Sequence, residues 1–572
     1  MMKYLKPYWI IALLAPMLML LEVVMDLLQP MLMARIIDLG VKSGDVGFIL
    51  TSGLGMLGIA LIGAAGGLGC VALSNIAAQN FAADLRLEIF KKVQSYSFSE
   101  INKFKTGSLI TRLTNDVAQV QMVVAMMMRL MVRAPLLFFG GLTMAFAINA
   151  RMALVLVATV PLLAIVLAIL IKKGFALFGL AQIKLDRVNV VLQENLAGIR
   201  VVKAFDRAEY EQERFDKVIY DLMDNMIKVA KVSSFAMPVV ILIMNIGVIA
   251  VIWVGGIELS LGYMEIGEIM AFITYSGQIL FSMAMMAMVL LFVSRGKASA
   301  DRIIEVLDVE PSIKDDTGND TYIPKDSSIE FIDVSLGYGG ENQTMVLKDI
   351  SFNIYPGETV AILGTTGSGK SSLISLIPRL YDATKGMVLL GGMNVKKIPL
   401  NVIRAMIGMV LQETIIISGT IEDNIRFGKE EATEEQVIQA AKTAQIHDFI
   451  ASLPDGYKTS LGQRGVNLSG GQKQRIDIAR ALVKKPAVLV LDDSTSAVDA
   501  ETEWNIHNAI KHHTKNTTCI IVAQRIASIM DADNILLLEE GKIAAQGTHK
   551  YLLANSPVYL ELYRSQTEEE AS

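Results

Sequence analysis

Cysteine is nearly absent: Cys70 and Cys519 are the only two in 572 residues, one in an apolar helical run and one in a strand-like run. Two isolated thiols build neither a disulfide framework nor a metal-binding cysteine cluster, and they suit a reducing compartment around the soluble part. Sustained basic runs are missing too. With 52 Lys plus Arg against 57 Asp plus Glu, no stretch can neutralise a phosphate backbone, which excludes nucleic acid as a partner. What abounds is apolar: 52% of residues are hydrophobic, too many for one water-soluble core, so part of the chain sits in a lipid bilayer.

The apolar excess is uneven. It predicts a membrane domain over 1–307, a polar linker over 308–328 containing "SIKDDTGND", a soluble domain over 329–565 and a short tail over 566–572. Six apolar stretches, near 8–28, 49–73, 130–148, 152–171, 235–254 and 266–293, are long enough to cross about 30 Å of hydrocarbon. The first carries Glu22 and Asp26 and lacks a small-residue cleavage site, so it is a span and not a secretory signal. Lys91, Lys92, Lys103, Lys105 and Arg112 lie between spans two and three, and Lys172, Lys173, Lys184, Arg187, Arg200, Lys203 and Arg207 follow span four. Residues 255–266 carry no Lys or Arg, which places both termini in the cytosol. The connections 101–121 and 194–215 mix apolar and charged residues at helical spacing. They read as spans continuing into water, with tips that press on the soluble domain; the plainer alternative is a pair of solvated hairpins.

In the soluble half, "VAILGTTGSGKSSLISLI" runs from an apolar strand through glycines into an apolar helix. This is a phosphate-binding loop in its required context: Gly364, Thr365, Thr366, Gly367, Ser368, Gly369, Lys370, Ser371 and Ser372. Its glycines let backbone N–H groups turn toward phosphate oxygens, Lys370 reaches the terminal phosphates, and the Ser371 hydroxyl is suited to Mg²⁺. Farther on, "VLVLDDSTSAVD" ends an apolar strand on Asp492, the carboxylate a Mg²⁺ shell needs, followed by Asp493. Together the two motifs imply ATP and Mg²⁺ as ligands.

Between them stands "LSGGQKQR", and with it the soluble half resembles the ATP-binding cassette of ABC transporters over 329 to about 563. The resemblance implies that Tyr338 in "VSLGY" stacks on adenine and that Gln412 in "VLQE" touches Mg²⁺ and senses the membrane domain. Ser469, Gly470, Gly471 and Gln472 match the signature that closes over the partner chain's ATP, and 496–499, "SAVD", match the loop that crosses to the partner. The six-span half, with "GSLITRLTND" and "ENLAGIRVVKAF", looks like an ABC exporter membrane domain of the long-helix type. The implied fold is a polytopic α-helical membrane domain fused to an α/β P-loop NTPase cassette, which makes one chain half a transporter.

Three departures from the family pattern stand out. Where well-hydrolysing members carry glutamate, this sequence has Asp493, shorter by one carbon–carbon bond of about 1.5 Å. A general base must come within about 2.6 to 3.2 Å of its water, so that loss matters. Gln524, in "IIVAQRIAS", occupies the switch-histidine position; an amide donates a hydrogen bond but carries no charge. Gln463 replaces a more usual glutamate in the connecting loop. The chain therefore resembles the degenerate-site half of a heterodimeric, bacterial multidrug-type exporter in the cytoplasmic membrane. It would hold ATP with little turnover and complete the competent site of a second half-transporter. The alternative is a homodimer in which Asp493 still acts as base.

The cargo is less legible. Glu22 and Asp26 lie four residues apart on one helix face, where they line a cavity for cationic amphiphiles or form a structural pair neutralised by Arg or by protonation. Met283 and Met286, in "SMAMMAM", give a repacking wall for small apolar or amphiphilic substrates or fill gaps between helices. Asp38, Glu265 and Glu268 lie near outer span ends as a candidate gate. No protease-like domain precedes the first span, which disfavours dedicated peptide export. A lipid or peptide homodimeric exporter and an ATP-gated regulator are the remaining alternatives.

Overall fold

The computed structural model of the protein describes residues 2–315, 324–339, 344–462, 465–495, 497–513 and 516–571; Gln463, Ser496 and the middle of the linker, 316–323, lie outside them. The chain forms two compact units, one of Met1–Ser95 with Phe104–Val309, the other of Tyr96–Lys103 with Glu310–Ser572.

The first unit is helical. Its six long apolar helices are Lys6–Val41, Val46–Gln94, Thr106–Ile148, Ala150–Ala197, Ala208–Ser260 and Ile266–Asp308. The longest has 53 residues, or about 80 Å at 1.5 Å per residue, against about 30 Å of hydrocarbon. The remainder extends beyond the bilayer, as the mixed patterns of 101–121 and 194–215 predict. Leu54, Leu68 and Trp253 stand exposed on these helices, the burial pattern of a surface solvated by lipid rather than water. Glycines bring the first two helices together: a Cβ at Gly66 would stand 3.0 Å from the Leu18 carbonyl oxygen, so only a small residue permits this approach. The third helix breaks at Arg129, whose backbone (φ −112°, ψ −81°) leaves helical geometry.

The second unit holds two main sheets, built from β1 (Ile329–Tyr338), β2 (Thr344–Ile354), β3 (Thr359–Leu363), β4 (Lys385–Leu390), β5 (Met393–Asn394), β6 (Ile407–Val410), β7 (Gly419–Thr420), β8 (Ser460–Leu461), β9 (Val488–Asp492), β10 (Thr518–Ala523), β11 (Asn534–Glu539) and β12 (Lys542–Gly547). An antiparallel sheet runs β2-β1-β4-β5, and a six-stranded sheet runs β12-β11-β3-β10-β9-β6 with β11, β3, β10, β9 and β6 parallel. Strands covered on both faces must be apolar throughout, which explains the unbroken runs "VLVLD" and "TCIIVA". Alternate residues divide between two cores: Leu489, Leu491 and Ile521 on one face, Val488, Val490 and Ile520 on the other. Cys519 is buried in β10, and burial pushes its thiol up to about 12, so it packs as a small hydrophobe.

Candidate functional site

Four adjacent parallel strands end on the same edge of the six-stranded sheet, and each delivers one part of the site. β3 leads into the glycine loop, β10 into Gln524, β9 into Asp492 and Asp493, and β6 into Gln412. The carboxyl ends of parallel strands are where α/β sheets gather ligand-binding loops. Gly367, Gly369, Lys370, Ser371, Gln412, Asp492, Asp493 and Gln524 together line one cleft of about 220 Å³.

The loop's geometry depends on its glycines. Gly367 and Gly369 have φ of +86° and +104°, left-handed values that disfavour a side chain, while a Cβ at Gly364 would collide with the Leu538 carbonyl. Lys370 Nζ donates to the carbonyl oxygens of Gly364 (2.8 Å) and Thr365 (2.9 Å). Burial pulls the ammonium below its ordinary pKa, against the opposite pull of Asp492 and Asp493. The Ser368 hydroxyl is buried with no hydrogen-bond partner, an orphaned group that an anionic oxygen would satisfy.

Asp492 is raised above the usual carboxylate range by burial, although a hydrogen bond from Ser371 and the charge of Lys370 act the other way. A buried carboxylate beside a hydroxyl, with the Gln412 amide on the same cleft, is a hard-oxygen donor set of the kind Mg²⁺ takes. Asp493 is also raised, first by burial. Its backbone is left-handed (φ 48°), held by its N–H on the Val522 carbonyl at 3.0 Å. Gln524 Nε2 donates to Asp493 Oδ2 at 3.0 Å, so the two departures from the family pattern are bonded to each other.

Tyr338 donates through its hydroxyl to Ser372 Oγ at 3.0 Å and meets Tyr381 edge-on, ring centroids 5.2 Å apart. Tyr381 in turn accepts a hydrogen bond from Asn102 Nδ2 at 3.2 Å and lies 6.3 Å from the Phe98 ring. Residues 96–103 belong to the connection between the second and third long helices, yet they cluster with the cassette. Nothing in the local sequence marks the contact of Tyr381 with Asn102 and Phe98, because those partners are hundreds of residues away.

Ser469 caps the 13-residue helix Gly470–Leu482 through a reciprocal box: its hydroxyl accepts from Gln472 N–H, and Gln472 Oε1 accepts from Ser469 N–H at 2.8 Å. The loop after Asp493 packs on this helix. Gln474 Oε1 accepts from Ala497 N–H at 3.0 Å, and a Cβ at Gly471 would lie 2.8 Å from the Ala497 carbonyl.

In the membrane unit, Glu22 and Asp26 do not stand as free carboxylates. Arg133, on the third helix, forms an ion pair with Glu22 and another with Asp26 at 2.9 Å. Replacing Arg133 with Met leaves both acids uncompensated at membrane depth and is expected to cost about 3 kcal/mol, the lower end for a broken buried pair because the side chains are partly exposed. Thermal unfolding in detergent measures the loss, and adding Glu22→Gln with Asp26→Asn should recover most of it. Met283 packs against the cluster of Leu163, Val240, Ile243 and Leu280, and Met286 is half-buried. The candidate gate acids serve as caps: Asp38 accepts from Gly267 N–H at 2.7 Å, and Glu265 and Glu268 cap the sixth helix reciprocally.

Six spanning helices joined to a P-loop cassette with this strand-end site define a membrane transporter driven by ATP. The family model for the ABC transporter transmembrane region matches residues 12–283, and the one described as ABC transporter matches 347–496. The chain is 42% identical over its whole length, and 99% of the other's, to the uncharacterized ABC transporter ATP-binding protein YfiB of Bacillus subtilis. It is 36% identical to the ATP-dependent lipid A-core flippase of Desulfotalea psychrophila over 85% of each chain. A bacterial Atm1-family ABC exporter solved with ATP bound superposes with a TM-score of 0.80 at 25% identity, covering 97% of this chain and 98% of that one. This chain belongs to the ABC transporter family; it is an ATP-driven exporter whose cassette couples ATP hydrolysis to transport.

Proposed function

We propose that this chain is the degenerate-site half of a heterodimeric exporter of small apolar or amphiphilic molecules in a bacterial cytoplasmic membrane, with both termini in the cytosol. The observation that carries the reading is the hydrogen bond from Gln524 to Asp493. The shortened carboxylate at the base position is engaged by the uncharged amide at the switch position, so the base that remains is a weak one and turnover is low. The loop from Gly364 to Ser372 wraps the phosphates, Lys370 pairs with their charge, and Tyr338 stacks on adenine. Ser371, Gln412 and Asp492 would hold Mg²⁺, which when bound neutralises charge on the phosphates. Ser469 to Gln472 close over ATP held by the partner's loop, where the main hydrolysis occurs.

ATP bound between the cassettes favours one arrangement of the spans and hydrolysis resets it, the tips near 101–104 and 209–215 transmitting the change. Co-expression with a second half-transporter that carries glutamate and histidine at the matching positions, followed by native mass spectrometry, tests the pairing. A one-to-one complex supports it; a population made only of two copies of this chain rejects it. The flippase relative favours a second reading, a lipid as cargo.

A further inference from the structure

Behind Asp493 and Gln524 lies a second cleft of about 170 Å³, lined by Thr495, Glu503, His507 and Arg525 on its far side. Asp493, Val522 and Gln524 line this cleft and the nucleotide cleft alike, so the two share a wall. His507 lies on the helix Ala500–His513, and its Nε2 is buried without a hydrogen-bond partner, 3.9 Å from Glu503 Oε1. Glu503 is held in place by the Thr495 hydroxyl, which donates to it at 2.7 Å. A buried polar atom left unsatisfied beside a cleft with room for several waters calls for a function. Two other histidines, His447 and His549, are engaged by Tyr457 and Tyr559.

We propose that His507 is the proton acceptor behind Asp493, reached through water in this cleft, and that it carries the residual turnover of the chain's own ATP site. The inference rests on the reading of that site as one that holds ATP. In the step, the attacking water oxygen bonds to the γ-phosphorus as the bond to the β,γ-bridging oxygen breaks. One water proton passes to an Asp493 oxygen, and a proton from Asp493 passes through cleft water to His507 Nε2, which needs the tautomer protonated on Nδ1. The imidazolium then returns its proton to solvent. Glu503 favours the imidazolium, while Asp493 and Arg525 line the same cleft with opposite charges. Burial pulls His507 below its ordinary pKa, with Glu503 opposing, so the ring is neutral and able to accept near pH 7. Residual turnover should fall as pH drops through that lowered value.

His507 thus acts through Asp493 as a positioning and relay residue. The test follows radiolabelled ATP in the purified full-length chain, with ATP binding measured separately. Relative to the parent, His507→Ala is expected to lose about tenfold in residual turnover, keep ATP affinity, lose the acid limb of the pH profile and recover in part with added imidazole. His507→Gln, which preserves bulk, should lose the same activity without imidazole rescue. Unchanged turnover and pH profile in His507→Gln overturn the proposal even if the Ala variant misfolds. So does a parent turnover no higher than that of Asp493→Ala. Loss of ATP binding by the parent would instead reject the nucleotide-holding role on which the inference rests.

Discussion

Changing Asp493 to Glu together with Gln524 to His should raise ATP turnover of the purified chain about 100-fold, the scale at which a positioned base contributes. Two copies of this chain supply each other with an intact signature segment, so the base and switch positions are what such a pair lacks. The longer carboxylate restores about 1.5 Å of reach, and the histidine replaces an amide that now binds Asp493. Each single change should yield much less, because Glu alone still meets the Gln524 amide and His alone leaves the carboxylate short. Steady-state phosphate release checks this. A double variant no faster than the parent would place the defect elsewhere in the cassette.

Substituting Gly471 with Val should abolish the other half of the chain's role while sparing its own nucleotide loop. Even the first carbon of a side chain would meet the Ala497 carbonyl at 2.8 Å, and the rest would cover backbone N–H groups at the start of the signature helix. Removing preorganised donors from a phosphate site costs about 100-fold or more in rate. In the proposed heterodimer, turnover should fall on that scale, while ATP affinity at the loop from Gly364 to Ser372 stays unchanged. Ser469→Ala, which opens the capping box without adding bulk, should give a smaller loss of the same kind. Wild-type turnover in the Gly471→Val complex would show that this segment does not face the partner's ATP.

The parts of this architecture that follow local pattern were legible in the sequence. A parallel strand buried on both faces must read as an apolar run, so β3 and β9 announced themselves, and the motifs at their ends came with them. Helices longer than the bilayer also declare themselves, because their apolar stretches pass without a break signal into amphipathic extensions. What escaped depends on distant pairing. Arg133 reads as one basic residue in an apolar span, and only the packing of the third helix on the first brings it to Glu22 and Asp26. Tyr381 carries no local signal for its contact with Asn102. Asp38, Glu265 and Glu268 accept hydrogen bonds from backbone N–H groups, a capping role that a sequence does not display.

The central claim is that this chain's own site holds ATP with little turnover, and the most direct measurement pairs ATP binding with steady-state hydrolysis on the chain purified alone in lipid. The account predicts stoichiometric ATP binding with turnover about 100-fold below that of the Asp493→Glu, Gln524→His preparation, and full activity once a second half-transporter bearing glutamate and histidine is co-expressed. Turnover by the chain alone that matches the double variant would contradict it and make a homodimer, with Asp493 as its working base, the correct description.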